Sequence, residues 1–191
     1  EESEGIYKAS YTAHLIGDKL TAQLTMPGWQ TKHSDAFSIA GDKDTAKIAA
    51  MQITANNAVA RRDHNTVAVT VRDVHQNLLQ GQNVTFTVVN GAAVFADPNG
   101  GIVTTDKDGI ASVNLASDQA VNSLIKAETN GSSQSVEVSF ITGDISQLTS
   151  TIKTDDVSYT AGGKIKVSVT LMDEQKNLVK GMASLLAGSS V

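Results

Sequence analysis

Residues 69–81 read Val-Thr-Val-Arg-Asp-Val-His-Gln-Asn-Leu-Leu-Gln-Gly, and residues 169–181 read Val-Thr-Leu-Met-Asp-Glu-Gln-Lys-Asn-Leu-Val-Lys-Gly. At an ungapped offset of 100, Val69 matches Val169, Asp73 matches Asp173, Asn77 matches Asn177, Leu78 matches Leu178 and Gly81 matches Gly181. Gly5-Ile6, followed by alternating Tyr7, Ala9 and Tyr11, parallels Gly109-Ile110 followed by Ala111, Val113 and Leu115. Ile39-Ala40-Gly41-Asp42 likewise parallels Ile141-Thr142-Gly143-Asp144. A repeat of this length is too long for a solenoid and suits a tandem array of small independent domains.

Outward from that stretch the chain reads as a strand meander. Thr66 to Arg72 alternates, with Val67, Val69 and Val71 on one face, which is the period of a half-buried strand. Asp73 to Asn77 is a polar turn. Val84, Phe86 and Val88 share a face, as do Ala111, Val113 and Leu115, then Val136, Val138 and Phe140. Turn signals separate these runs at Asn90-Gly91, Asp97-Pro98-Asn99-Gly100-Gly101 and Asn130-Gly131. About seven short strands with such spacing predict an antiparallel immunoglobulin-like β-sandwich. The fold class is all-β, as tandem immunoglobulin-like β-sandwiches, and no segment sustains a helical period.

The repeat predicts three units. Residues 47–144 form a complete domain, 1–46 the C-terminal half of a preceding one, and 145–191 the N-terminal half of a following one. In the outer pieces Tyr7, Ala9 and Tyr11 share a face, as do Ala22, Leu24 and Met26, Phe37 and Ile39, and Ile165, Val167, Val169 and Leu171. Neither half closes a two-sheet core alone, and each leaves an apolar face in water. The expectation is that half-domains are completed chain to chain, the back half of one molecule on the front half of another, or on a fragment missing from this sequence.

Charged residues are 18% of the 191, net charge is −5 and aromatics are 4%. An acidic chain lacks the basic stripe of a nucleic-acid module, so no nucleic-acid partner is expected. Arg61-Arg62 is followed at once by Asp63 and reads as a solvated turn. With no cysteine, disulfides, thiolate metal sites and cysteine nucleophiles are excluded. No apolar run approaches membrane-helix length, so no membrane contact by this segment is expected. Glu1-Glu2-Ser3-Glu4 resembles neither a signal peptide nor a lipidation motif, and the expectation is a mature fragment.

Residues 69–86, followed by Thr104-Thr105-Asp106-Lys107-Asp108-Gly109-Ile110-Ala111, resemble the bacterial Ig-like domain 1 signature. In that family a strand leads into an Asp-x-x-x-Asn-x-Leu turn, a Val-Thr-Phe strand, and Thr-Thr-Asp-x-x-Gly before the next strand. The repeats of the intimin and invasin adhesins are similar, and the resemblance spans nearly the whole chain. It implies an extracellular stalk segment of a bacterial outer-membrane adhesin at the cell surface, mediating host-cell or matrix attachment by projecting and presenting binding surfaces. It implies a host cell-surface or extracellular-matrix protein as partner of the parent adhesin. The rival expectation is that the Ig-like repeats themselves bind a host glycoprotein or matrix protein. No exporting barrel and no disulfide-bearing lectin-like tip is present in this sequence.

Candidate chemistry is sparse. His14, His33, His64 and His75 show no helical pairing and read as surface or turn residues, so no metal site is expected. Asp106-Lys107-Asp108-Gly109 imitates the start of a calcium loop, but the position of the bidentate Glu is Ser117. Gly109 better supplies a positive φ, with the aspartates accepting backbone N–H groups. Asp42, Asp44 and Asp144 lie at the junctions without forming a ligand set. Gly162-Gly163-Lys164 lacks P-loop spacing, and no Gly-x-Ser-x-Gly or His-Glu-x-x-His is present, so no enzyme activity and no cofactor are expected. Trp29, the only tryptophan, follows Pro27-Gly28 at a turn. It is the candidate binding anchor, although covering a sandwich end or a neighbouring domain is the more ordinary use of such a residue.

Overall fold

A computed structural model describes residues 5–181. Glu1 to Glu4 and the last ten positions of the third unit lie outside the described residues. The alternating valines dictate the middle of the molecule. β7 (Asn65–Arg72) buries every second side chain, with Val67, Val69 and Val71 at most 1% exposed. It is flanked by β5 (Lys47–Ala55) and β11 (Ile110–Ser117), and β9 (Ala93–Phe95) closes this four-stranded sheet in the order β5-β7-β11-β9. The facing sheet runs β10-β8-β12-β13-β6, built from β6 (Ala58–Val59), β8 (Asn83–Asn90), β10 (Ile102–Thr104), β12 (Asn122–Thr129) and β13 (Ser132–Ile141). Val84, Phe86, Ile125, Ala127, Val138 and Phe140 meet the valines of β7 and Ala111, Val113 and Leu115 of β11 in one core. Each fully buried Val or Leu contributes about 1.5–3 kcal/mol relative to exposure.

Nine strands thus stand where about seven were read. The shortest, β6, β9 and β10, have two or three residues each, too few to show an alternation. The β12–β13 hairpin closes on Asn130 and Gly131, both at positive φ (44° and 75°), as a type I′ turn requires. Asn65 is the one fully buried polar residue of β7. Its Oδ1 accepts from Ala58 N at 3.0 Å and its Nδ2 donates to the Ser139 oxygen at 2.9 Å, so it ties the two sheets together.

β6 pairs with β13 in parallel, Phe140 opposite Ala58 and Ile141 opposite Val59, whereas every other pairing is antiparallel among the described residues. Near the start of β5, Ile48 donates to Ser132 Oγ at 3.2 Å and accepts from Gln134 Nε2 at 3.1 Å. The chain therefore enters the domain beside the first residues of β13 and leaves it past the last.

The flanking units are thinner than the alternation predicted. In the first, β1 (Gly17–Leu20) pairs with β4 (Phe37–Ile39), and β2 (Gln23–Leu24) with β3 (Lys32–His33). Tyr7, Ala9 and Tyr11 form no strand, and the two tyrosines are 79% and 88% exposed. In the third, β14 (Thr151–Thr154) pairs with β15 (Val167–Thr170), while Ile165 lies outside the strand and Ile165 and Val167 are exposed rather than inward. The reason is common to both ends: a single hairpin has no opposing sheet against which to bury a face. A 3₁₀ turn, η1 (Lys43–Thr45), leads from the first unit into β5, with Asp42 as its cap.

Candidate functional site

The 100-residue repeat is a repeat of geometry. Asp73 N donates to Asn77 O at 3.0 Å, and Asp173 N to Asn177 O at 3.0 Å. Gln76 and Lys176, the next matched pair, both sit at positive φ, 68° and 63°. Arg72 bridges to Leu78 as Met172 bridges to Leu178. In each turn the carboxylate is the hub. Asp73 Oδ1 accepts from His75 N and Asn77 N, both at 2.9 Å, and its Oδ2 accepts from Asn77 Nδ2 at 2.9 Å. Asp173 Oδ1 accepts from Asn177 N at 2.8 Å, and its Oδ2 from Asn177 Nδ2 at 2.7 Å.

The remaining bonds of these hubs cross between units. Asp73 Oδ2 accepts from Asp42 N at 3.2 Å, and Asp173 Oδ2 from Gly143 N at 2.7 Å, so each carboxylate also holds the segment that joins its unit to the one before. Asn77 Nδ2 donates to His14 O at 2.8 Å, and its Oδ1 accepts from Ile16 N at 3.2 Å. Asn177 Nδ2 donates to Ala60 O at 3.1 Å. Arg61 completes the second junction, with Nε on Asp118 O at 3.0 Å and an Nη on Gln175 O at 3.2 Å. A short polar turn of each unit is thereby fastened to the backbone of its predecessor.

Burial of these carboxylates would by itself raise their pKa. For Asp73 the opposing bonds from the Asn77 side chain and from the Asn77, Asp42 and His75 backbone prevail, and the carboxyl lies below the ordinary aspartate value. For Asp173 the Asn177 side chain and the Gly143, Asn177 and Gln175 backbone do the same.

Arg61 corrects one expectation. It is not simply a solvated turn residue, because it bridges two units; Arg62 and Asp63 do form an exposed pair at 2.9 Å. No sequence signal marks Arg61, since its acceptors are backbone oxygens far along the chain. Asp106 behaves as expected, its Oδ1 accepting from Asp108 N at 2.9 Å and Ile110 N at 3.0 Å beside Gly109 at φ 69°. Asp108 does not share that work and instead meets Lys107 at 2.8 Å. Trp29 sits at the turn joining β2 and β3, with its backbone N–H on Met26 O at 3.0 Å, and its side chain is exposed, the residue 57% so, rather than sealed under a neighbour. Lys32 Nζ lies 5.8 Å from its ring centroid. His33 and His64 lie apart, but His14 and His75 meet, Nδ1 to Nδ1, at 3.2 Å.

Residues 48–141 match the family described as bacterial Ig-like domain (group 1). This stretch is a group 1 bacterial Ig-like domain. Around it, the chain is similar to the inverse autotransporter adhesin YeeJ of Escherichia coli (strain K12), 32% identical over 184 residues that cover 94% of this chain and 8% of that protein. The chain thus spans a small fraction of the length of the curated relative it matches. Among solved structures, the Escherichia coli adhesin FdeC shares the fold, with a TM-score of 0.55 and 17% identity over 84% of this chain and 52% of that one. Invasin, described as a bacterial integrin-binding protein, aligns at 30% identity with a TM-score of 0.47, over 64% of this chain and 25% of that one. The likeness to the intimin and invasin adhesins read from residues 69–86 and 104–111 holds at the level of the family, and the relative that covers 94% of this chain is an adhesin.

Proposed function

We propose that this chain is a stalk segment of a bacterial surface adhesin, whose task is to hold successive Ig-like units in fixed order and extend them from the cell. The carrying observation is the clasp at Asp73–Asn77, repeated at Asp173–Asn177, which bonds each unit to the backbone of the one before. Domain boundaries at 46/47 and 144/145 belong to this proposal. β13, with ten residues, spans about 33 Å at ~3.3 Å per residue, so each complete unit adds roughly that much reach. Small-angle scattering tests it. The chain should give one well-defined maximum dimension, and a double Asn77→Ala, Asn177→Ala variant a broadened distribution; identical profiles would remove the clasp from the explanation.

Direct binding of a host glycoprotein or matrix protein is the second reading, favoured by the exposed Trp29 under Lys32 at a hairpin tip. Attachment of the isolated 191-residue chain to host surfaces, lost on Trp29→Ala, would favour this reading over a pure spacer. Completion of the outer half-units by a second copy of the chain also belongs to the proposal. The first unit carries counterparts of the last strands of the sandwich and the third carries counterparts of β5 and β7, while Tyr11, Leu148 and Val157 stand 88–100% exposed. Light scattering that gives only monomer at every concentration would end that part.

A further inference from the structure

We propose that His14 and His75 form a two-histidine site for a transition-metal dication of the zinc class, linking the first unit to the Ig-like domain through side chains. The proposal rests on the junction geometry and is independent of the adhesin reading. The two Nδ1 atoms are 3.2 Å apart, the ring centroids 4.5 Å apart, and the ring planes inclined at 66°. A tetrahedral zinc ion with ligand nitrogens at 2.0–2.1 Å sets those nitrogens about 3.3 Å from each other. The nitrogen spacing, though not the direction of the lone pairs, is therefore present before any metal arrives.

Both main-chain segments are held from behind. The His75 backbone N–H is held by Asp73 Oδ1 at 2.9 Å, and the His14 carbonyl accepts from Asn77 Nδ2 at 2.8 Å. One carboxylate–amide pair thus fixes both main-chain segments, and His14 and His75 are themselves exposed, open to an ion from solvent. Without metal, one Nδ1–H donates to the other Nδ1. On binding, the donating ring moves its proton to Nε2 by exchange with water, both Nδ1 lone pairs turn to the metal, and no net proton is released from two neutral imidazoles.

The second junction supplies an independent observation. His75 corresponds to Gln175 at the 100-residue offset, and His14 to Asp118, just past the end of β11, in the register that aligns Gly5 with Gly109. There the Arg61 guanidinium reaches both places, Asp118 O at 3.0 Å and Gln175 O at 3.2 Å. The repeat therefore brings the same two loops within the span of one cationic group, and at the first junction the loops present imidazoles to that spot. Imidazole favours zinc, copper or nickel over calcium or magnesium. Among the described residues no three His, Cys, Asp or Glu side chains converge, so water fills the remaining positions.

Zinc titration of the 191-residue chain at neutral pH decides the matter, by calorimetry together with long-range proton–nitrogen spectra of the imidazoles. The expected result is one zinc per chain, with the Nδ1 signals of His14 and His75 shifting together. His14→Gln and His75→Gln should each weaken binding by about tenfold or more, while His33→Gln and His64→Gln should not. Both targets are exposed, so their replacement leaves the core intact. Absence of zinc uptake, or uptake indifferent to His14→Gln and His75→Gln, overturns the site.

Discussion

The side-chain amide of Asn177 donates to the backbone oxygen of Ala60 at 3.1 Å, across 117 residues of chain. The same nitrogen donates to Asp173 Oδ2 at 2.7 Å, and Asn177 is only 7% exposed. One side chain therefore satisfies a buried carboxylate within its own unit and a carbonyl of the unit before it.

Asn177→Ala removes both bonds. The expected loss is about 1–3 kcal/mol from the local stability of the junction, the cost of leaving a buried acceptor unsatisfied. Hydrogen exchange reads it directly. The Gly143 amide, held by Asp173 Oδ2, should exchange faster in the variant, while the Val69 and Val113 amides in the core keep their protection.

Acid should loosen the junctions. The Asp73 and Asp173 carboxyls lie below their ordinary value when folded, as hydrogen bonds to the carboxylates outweigh burial. A depressed folded pKa stabilises fully above the unfolded value, about 3.9, and that contribution is lost as pH falls through the folded pKa. Melting curves should therefore hold steady from neutrality to about pH 5 and decline below about pH 4. Asp73→Asn should be less stable at neutrality, with a shallower acid limb.

Gly109→Ala tests the turn read as a calcium mimic. Gly109 has φ 69°, and an added Cβ would lie 3.0 Å from Val71 O and 3.2 Å from Leu78 Cβ. Strain of about 1–3 kcal/mol is expected from the left-handed backbone alone. Denaturant titration should show the midpoint fall with an unchanged slope.

Trp29 offers an optical check, as the only tryptophan in the chain. At 57% exposure its emission should be red-shifted and readily quenched by iodide. A blue-shifted, protected spectrum would mean that a neighbouring unit covers it in solution.

The long strands were legible because a sheet with one buried face writes its period into the chain, as in Val67, Val69 and Val71. The flanking units were misjudged by the same rule. Tyr7, Ala9 and Tyr11 alternate as a strand should, but alternation states only which face is to be buried, and the described structure offers that face no partner. At the junctions the repeat exposed Asp73, Asn77 and their counterparts as special without disclosing their use. Their partners are main-chain groups at His14, Ile16, Gly143 and Ala60, and a backbone carbonyl leaves no mark in a side-chain pattern. The meeting of His14 and His75 was hidden for a related reason, since 61 residues separate them and no local spacing announces it.

The parallel pairing of β6 with β13 bears on how a tethered unit responds to pulling. Because the chain comes in beside Ser132 and departs past Ile141, tension along it acts parallel to β13. The bonds between β6 and β13 are then stressed in shear, sharing the force, rather than peeled one at a time from an end. A flow or a moving surface tugging on the chain loads the β5 ladder to β7 first and then this pair, in which Ala58 and Phe140 of the core themselves take part.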